Sequence, residues 1–163
     1  MEDIPFSEEL RSFPEELRRR DVPFMIVGAV GAVLQGAGLV TADINLWIPN
    51  LSDPRLQDAA KAVGGFYLAP QFNLPPTPPM LVGSAVHSFD LVTHMSGLGT
   101  FAEEYPRVLW IPFGGGVLPV LPLDRIIASK RAANREKDRI SLPILEEMEK
   151  LLRDVGTGEN EAT

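Results

Sequence analysis

The sequence predicts an α/β or α+β domain built on a small mixed sheet. Short apolar runs such as "PFMIVG", "TADINLWI" and "VHSFDLVT" have the length and alternation of strands. Segments with helical spacing and helix-cap chemistry separate them. A length of 163 residues, 45% of them hydrophobic, is that of one ordinary domain. Such a domain buries about two-thirds of its unfolded surface. The order is helix, strand, helix, strand, helix, strands, helices, and order alone does not separate α/β from α+β.

"SEELRSFPEELRRR" reads as one or two short helical turns, with Ser7 and Ser12 as N-caps and Pro14 in a first turn. "PFMIVG" follows as a short buried strand. "AVGAVLQGAG" has helical spacing at Val30, Val33 and Leu34, although Gly31, Gly36 and Gly38 weaken it as an isolated helix. "TADINLWI" is the next strand. "LSDPRLQDAAKAVGG" is a helix that Ser52 or Asp53 caps, Pro54 opens and Gly64 closes. The prolines between Pro70 and Pro79 exclude helix and disfavour an inner strand, so this segment reads as an extended loop before "VHSFDLVT". "RVLWIPFGGGVLPVL" reads as two strands joined at Gly114 to Gly116. "PLDRIIASKRAANREKDR" and "SLPILEEMEKLLRDV" are helical. We expect a single domain over 1–155 and a disordered tail over 156–163.

The chain has no cysteine, which excludes disulfides and thiolate metal sites. No run approaches the ~18–20 apolar residues of a membrane span, and "MEDIPFSEEL" lacks the basic start of a signal peptide. The expectation is a soluble, cytoplasmic protein without membrane partners. A net charge of -7 argues against broad nucleic-acid binding. Charge is uneven, however. Arg125, Lys130, Arg131, Arg135, Lys137 and Arg139 oppose only Glu136 and Asp138 in the stretch 125–139. That stripe is either a solvated helix face or a site for one small anion.

"MIVGAVGAVLQGAG" invites a dinucleotide-binding reading, but Gly28 and Gly31 do not have the G-x-G-x-x-G spacing, and no Walker lysine motif occurs. Close helix–sheet packing explains the small residues. Ser84 and Ser88 lack a nucleophile elbow, which removes hydrolase triads. His87 and His94 have no ligand partner pattern, and Trp47 and Trp110 are expected to pack.

"GLVTADINLWIP" is more specific. Alternation places Asp43 and Asn45 on one strand face and Ile44, Leu46 and Ile48 on the other. In "HSFDLVT", Asp90 shares a face with Ser88 and Val92, opposite Phe89 and Leu91. Three oxygen side chains from neighbouring strand edges suit Mg²⁺, a hard cation.

With these residues in place the chain resembles the nucleotidyltransferase superfamily, the polymerase-beta-like fold, over about residues 23–152. It is most similar to small bacterial minimal-nucleotidyltransferase and AbiEii-toxin-like members. Their pattern is a strand, Gly-Gly or Gly-Ser, a short helix, often Arg-x-Thr, then Asp-x-Asp, with a third acid on a later strand. Gly28, Thr41, Asp43 and Asp90 match, and Lys130, Arg135, Lys137 and Asp138 match the family's late helix. Ala29, Leu39 and Asn45 depart from it.

The resemblance implies a nucleotidyltransferase-like sheet flanked by helices and metal-dependent transfer of a nucleotide from a nucleoside triphosphate to an acceptor, protein or RNA. Asp43 and Asp90 would be catalytic. Asp43, Asn45 and Asp90 would hold Mg²⁺ or Mn²⁺. Gly28, Ala29, Thr41, Lys130, Arg135 and Lys137 would bind the nucleotide. An amide in place of one carboxylate implies weakened or lost turnover. The alternative is a non-catalytic nucleotide- or partner-binding module, in a toxin–antitoxin-like pair or a homo-oligomer.

Overall fold

A computed structural model describes residues 6–161, with side chains through Gly156. Its strands are β1 (Met25–Val27), β2 (Ile44–Trp47), β3 (Phe66–Leu68), β4 (Met80–Val82), β5 (Phe89–Val92), β6 (Leu109–Phe113) and β7 (Gly116–Val120). Its helices are α1 (Ser7–Arg19), α2 (Gly28–Val33), α3 (Arg55–Ala62), α4 (Phe101–Glu104), α5 (Leu123–Ala133) and α6 (Glu136–Glu161). A 3-10 turn, Tyr105–Arg107, follows α4.

The main sheet has the order β5-β2-β1-β7-β6 and is mixed. β1 is antiparallel to β2 and parallel to β7, whereas β2 is parallel to β5. Helices cover both faces, and alternation along the strands sorts the side chains between them. Ile26, Ile44, Leu46, Phe89 and Val120 pack with Leu10, Phe13 and Leu17 of α1 and with Leu56, Ala59 and Ala60 of α3. Met25, Val27 and Trp47 pack on the opposite side with Ile126 and Ile127 of α5 and Leu145 of α6. The spacing of Leu10, Phe13 and Leu17 is the single apolar stripe a surface helix needs. Phe13 meets Phe89 edge to face at 5.2 Å.

Local chemistry shapes the elements. α1 is one continuous helix of 13 residues with Pro14 inside it, where the sequence suggests one or two short turns. Pro14 is buried beside Phe13, and that packing offsets the hydrogen bond a helical proline forgoes. α2 ends at Val33, before the expected "GAG", and Gly36 adopts φ +104. The Gln35 amide donates to the carbonyls of Gly31 (3.0 Å) and Leu121 (2.9 Å) and accepts from the Leu123 amide (2.8 Å). It therefore ties the end of α2 to the start of α5.

β3 and β4 form a separate antiparallel ribbon that the sequence did not disclose. Phe66, Leu68, Met80 and Val82 are all exposed on it, so it lacks polar-outside alternation. The proline-rich connection between them is exposed, with a single bridge from Gln71 to Thr77. Trp47 is buried edge-on to Phe101, whereas Trp110 remains 50% exposed. α6 continues through Gly156 to Glu161, where the sequence suggests a tail without structure. Extending a formed helix adds one hydrogen bond per residue, and no proline follows to stop it. Residues 162–163 of the expected tail lie outside the described residues.

Glu104 is a buried acid at the end of α4. The Arg125 guanidinium donates to it at 2.9 and 2.5 Å, and the Gly99 amide donates at 3.2 Å. The hydrogen bond from Arg125 holds the Glu104 carboxyl below the usual glutamate range, against the opposing effect of burial. Its contribution is present above the ordinary value of 4.5 and is lost as pH falls through the lowered folded value. Glu104→Ala leaves Arg125 without its partner, so a cost of about 3 kcal/mol is expected in urea denaturation at neutral pH. The difference from wild type should shrink as pH falls below 4.5 toward the lowered folded value.

Candidate active site

The site forms where β1, β2 and β5 lie side by side. Register sets Val27 of β1 opposite Asn45, and Asn45 of β2 opposite Asp90 of β5. The residue after Val27 is Gly28, at φ +70, where the chain turns from β1 into α2. A Cβ on Gly28 would lie 2.9 Å from Asn45 Nδ2. Glycine is thus required twice over, by the left-handed backbone and by the approach of Asn45.

Asp43 stands one residue ahead of β2. Thr41 holds the turn that precedes it: the Thr41 hydroxyl donates to the Asp43 carbonyl at 3.0 Å and accepts from the Asp43 amide at 3.4 Å. Asp90 lies near enough to Asp43 to feel the charge of its carboxylate. Burial, then the neighbouring Asp43 carboxylate, pushes the Asp90 carboxyl above its usual range, and the Lys137 charge partly opposes this.

The cations come from the junction of α5 and α6. Asn134, at φ 49, ends α5 in the left-handed conformation, and α6 starts two residues later. Asp138, fully buried in the first turn of α6, accepts from the Arg135 amide (3.1 Å), Arg135 Nε (2.8 Å) and Lys130 Nζ (3.4 Å). Burial pushes its carboxyl up, but the Arg135 hydrogen bonds and the Lys130 charge outweigh that and leave it below the usual range. Asp138 therefore anchors two cations at the rim of the cleft.

The cleft has two lobes. The first, about 550 Å³, is lined by Gly28, Ala29, Thr41, Lys130 and Met95 among others. The second, about 540 Å³, is lined by Asp90, Tyr67, Met80 and His87 among others. Asp43, Asn45, Arg135 and Lys137 border both. Every candidate residue named from the sequence thus lines one lobe or the other. The wall that the β3–β4 ribbon contributes was not legible, because nothing in its pattern marks a site. Asp138 as the anchor of Lys130 and Arg135 was also missed as a role. An acid three residues after a cation at a helix start is the signal that could have found it.

Among the described residues no three of Asp, Glu, His and Cys converge on one point. A cation here would therefore need the Asn45 amide oxygen to complete a set with Asp43 and Asp90. Two carboxylates and an amide are hard oxygen donors, and two carboxyls pressed together are a charge pair that a divalent cation relieves. The residues present fit such an ion, with one negative charge fewer than an all-carboxylate set would offer.

Gly28→Ala tests the local construction. A non-glycine residue in the left-handed region costs about 1–2 kcal/mol, and the added Cβ also meets Asn45. Urea denaturation should show a loss of about 2 kcal/mol, with the Asn45 side-chain amide resonances displaced. Gly38→Ala, where a Cβ meets nothing within 4 Å, should be close to neutral.

No family model matches this chain, and no curated protein matches it. Among solved structures it is similar to ANT(2'')-Ia, an aminoglycoside nucleotidyltransferase. The crystal structure of that protein in complex with adenylyl-2''-tobramycin aligns over 93% of this chain and 96% of that one, with a TM-score of 0.57 and 14% identity. The solution structure of the same antibiotic-resistance factor aligns over 94% and 92%, again with a TM-score of 0.57 and 14% identity. At that identity the likeness is one of fold: the chain has a nucleotidyltransferase-like α/β fold, a mixed sheet flanked by helices.

Proposed function

We propose that this chain binds a nucleoside triphosphate with Mg²⁺ or Mn²⁺ and transfers its nucleotidyl group to an acceptor hydroxyl, at a rate reduced by Asn45. The observation that carries the reading is the convergence of Asp43, Asn45 and Asp90 at a two-lobed cleft whose rim holds Lys130, Arg135 and Lys137. The fold likeness supports it. The reading places the chain with small bacterial minimal-nucleotidyltransferase and AbiEii-like proteins of the cytoplasm.

The donor occupies the first lobe. Gly28 and Ala29 allow close approach of phosphates to the backbone, and Thr41 holds the turn that presents Asp43. Lys130 and Arg135, oriented by Asp138, and Lys137 receive the phosphate tail, which cations hold by charge-assisted hydrogen bonds. Asp43, Asn45 and Asp90 would hold the divalent cation, which when bound neutralises charge developing on the phosphoryl oxygens. Asp90 lines only the acceptor lobe. Its carboxyl, raised above the usual range, takes the proton of the acceptor hydroxyl as the oxygen bonds to the α-phosphorus. The bond from the α-phosphorus to the bridging oxygen breaks, and pyrophosphate leaves.

A second reading is favoured by Asn45 itself: a non-catalytic module that binds nucleotide or a protein partner. Calorimetry with ATP and GTP, with and without Mg²⁺ or Mn²⁺, separates a nucleotide site from a partner module, and release of pyrophosphate separates transfer from binding alone. Metal-dependent binding is expected, and absence of binding under every condition leaves the partner module.

Asn45→Asp supplies the missing charge. It should tighten Mn²⁺ binding about tenfold, equivalent to about 1.4 kcal/mol. Thermal melts of both proteins across a Mn²⁺ titration check this. A variant that melts earlier and is not rescued by metal would count against a cation site.

A further inference from the structure

We infer that the exposed flank of α6 joins two copies of this chain as an antiparallel helix pair. The inference goes beyond the chemistry of the cleft and stands whether or not a nucleotide is transferred there.

Helix α6 has more apolar surface than the body of the protein covers. Leu145 is buried, and Leu142 and Met148 pack half-buried against the same core. About 110° round the helix from Leu145 runs a second stripe, Ile140, Ile144, Leu151 and Val155, all exposed. Ile140 is 68% exposed and Val155 61%. From Lys150 to Gly156 every residue of the helix is exposed. A helical extension with no body to pack on, and with a glycine in it, is marginal in water. A partner lying along the stripe would hold it.

The stripe is complementary to itself. Its gaps are four residues (140 to 144), seven (144 to 151) and four (151 to 155), so it reads the same from either end. A two-fold axis between Glu147 and Met148 sets Ile140 level with Val155 of the second copy, and Ile144 level with Leu151. The charges beside the stripe agree with that arrangement. Glu147 comes within one turn of Lys150 of the second copy, and Arg139 within one turn of Asp154. Glu146 and Glu149 are engaged within the chain, by Arg131 and Arg153. Glu147 and Lys150 form no ion pair among the described residues. A parallel pair would instead set Glu147 level with Glu147 and Lys150 level with Lys150. The stripe is about 22 Å long, so the contact is small among specific interfaces, and association in the micromolar range is expected.

The pairing reaches the cleft. Lys137 borders both lobes and lies one turn before Ile140 on the same flank of α6. In this register position 158 is level with Lys137 of the second copy. The last turns of one α6, which ends at Glu161, therefore run beside the cleft rim of the other.

Sedimentation equilibrium of the full-length protein should show a concentration-dependent dimer. Ile144→Lys combined with Leu151→Lys changes two exposed positions, so the fold should persist by circular dichroism. The dimer should weaken by more than about tenfold. The chain has no cysteine, so introduced thiols report the orientation. An equal mixture of Ile140→Cys and Val155→Cys proteins should form a disulfide-linked dimer on mild oxidation. Either protein alone should not, because its two thiols would stand about 22 Å apart. A chain that stays monomeric into the submillimolar range overturns the inference. So does a dimer that the two lysines leave intact, or one that Ile140→Cys links by itself.

Discussion

Everything at the cleft depends on the parallel pairing of β2 with β5 in the register that sets Asn45 beside Asp90. That pairing sets Asp90 near enough to Asp43 to feel its charge, in a partly desolvated place. Burial, and then the like charge of Asp43, pushes the Asp90 carboxyl above its usual range. The core holds them there. Ile44, Leu46 and Phe89 are buried on the far face of the same strands, and a one-residue slip would turn them out to water. Apolar burial on one side of the sheet thus enforces electrostatic crowding on the other. A functional site is the kind of place where such a conflict is retained.

The crowding is answered by a second arrangement, the sharp junction of α5 and α6. Asp138 is fully buried and would be expensive alone. Four donors from Lys130 and Arg135 satisfy it. The geometric consequence matters more than the pair's net stability. A long, flexible arginine and a lysine are set at the cleft rim rather than free to range through solvent, and Lys137 follows in the same turn. An acidic protein, with net charge -7, thereby presents a local positive edge beside Asp43 and Asp90.

The fold likeness and the chemistry of the site carry different weights. A TM-score of 0.57 at 14% identity establishes the arrangement of elements and leaves the acceptor open. The substrate chemistry has to be read from this chain's own side chains. Asn45 reduces the charge offered to a cation, and Tyr67, Met80 and Leu81 of the β3–β4 ribbon line the second lobe. Both follow from residues that the shared fold does not dictate.

The sequence by itself determined a mixed sheet of α/β or α+β class, the segments that carry Asp43, Asn45 and Asp90, and the run that carries Lys130, Arg135 and Lys137. It could do so because alternation and cap chemistry are local, and a strand face is set by every second residue. The glycine at position 28 was also legible, as a small residue between a strand and a helix. Only the tertiary structure decided that Asp43 and Asp90 meet, that Asp138 is the buried anchor of the cations, and that a ribbon walls the second lobe. Each of these depends on which strands pair and on how one helix turns back on another. The ribbon's apolar residues face outward, so no periodic pattern could separate them from an ordinary loop. The trajectory of α6 to Glu161 was likewise beyond local reading, since Gly156 and Gly158 are local signals for ending a helix.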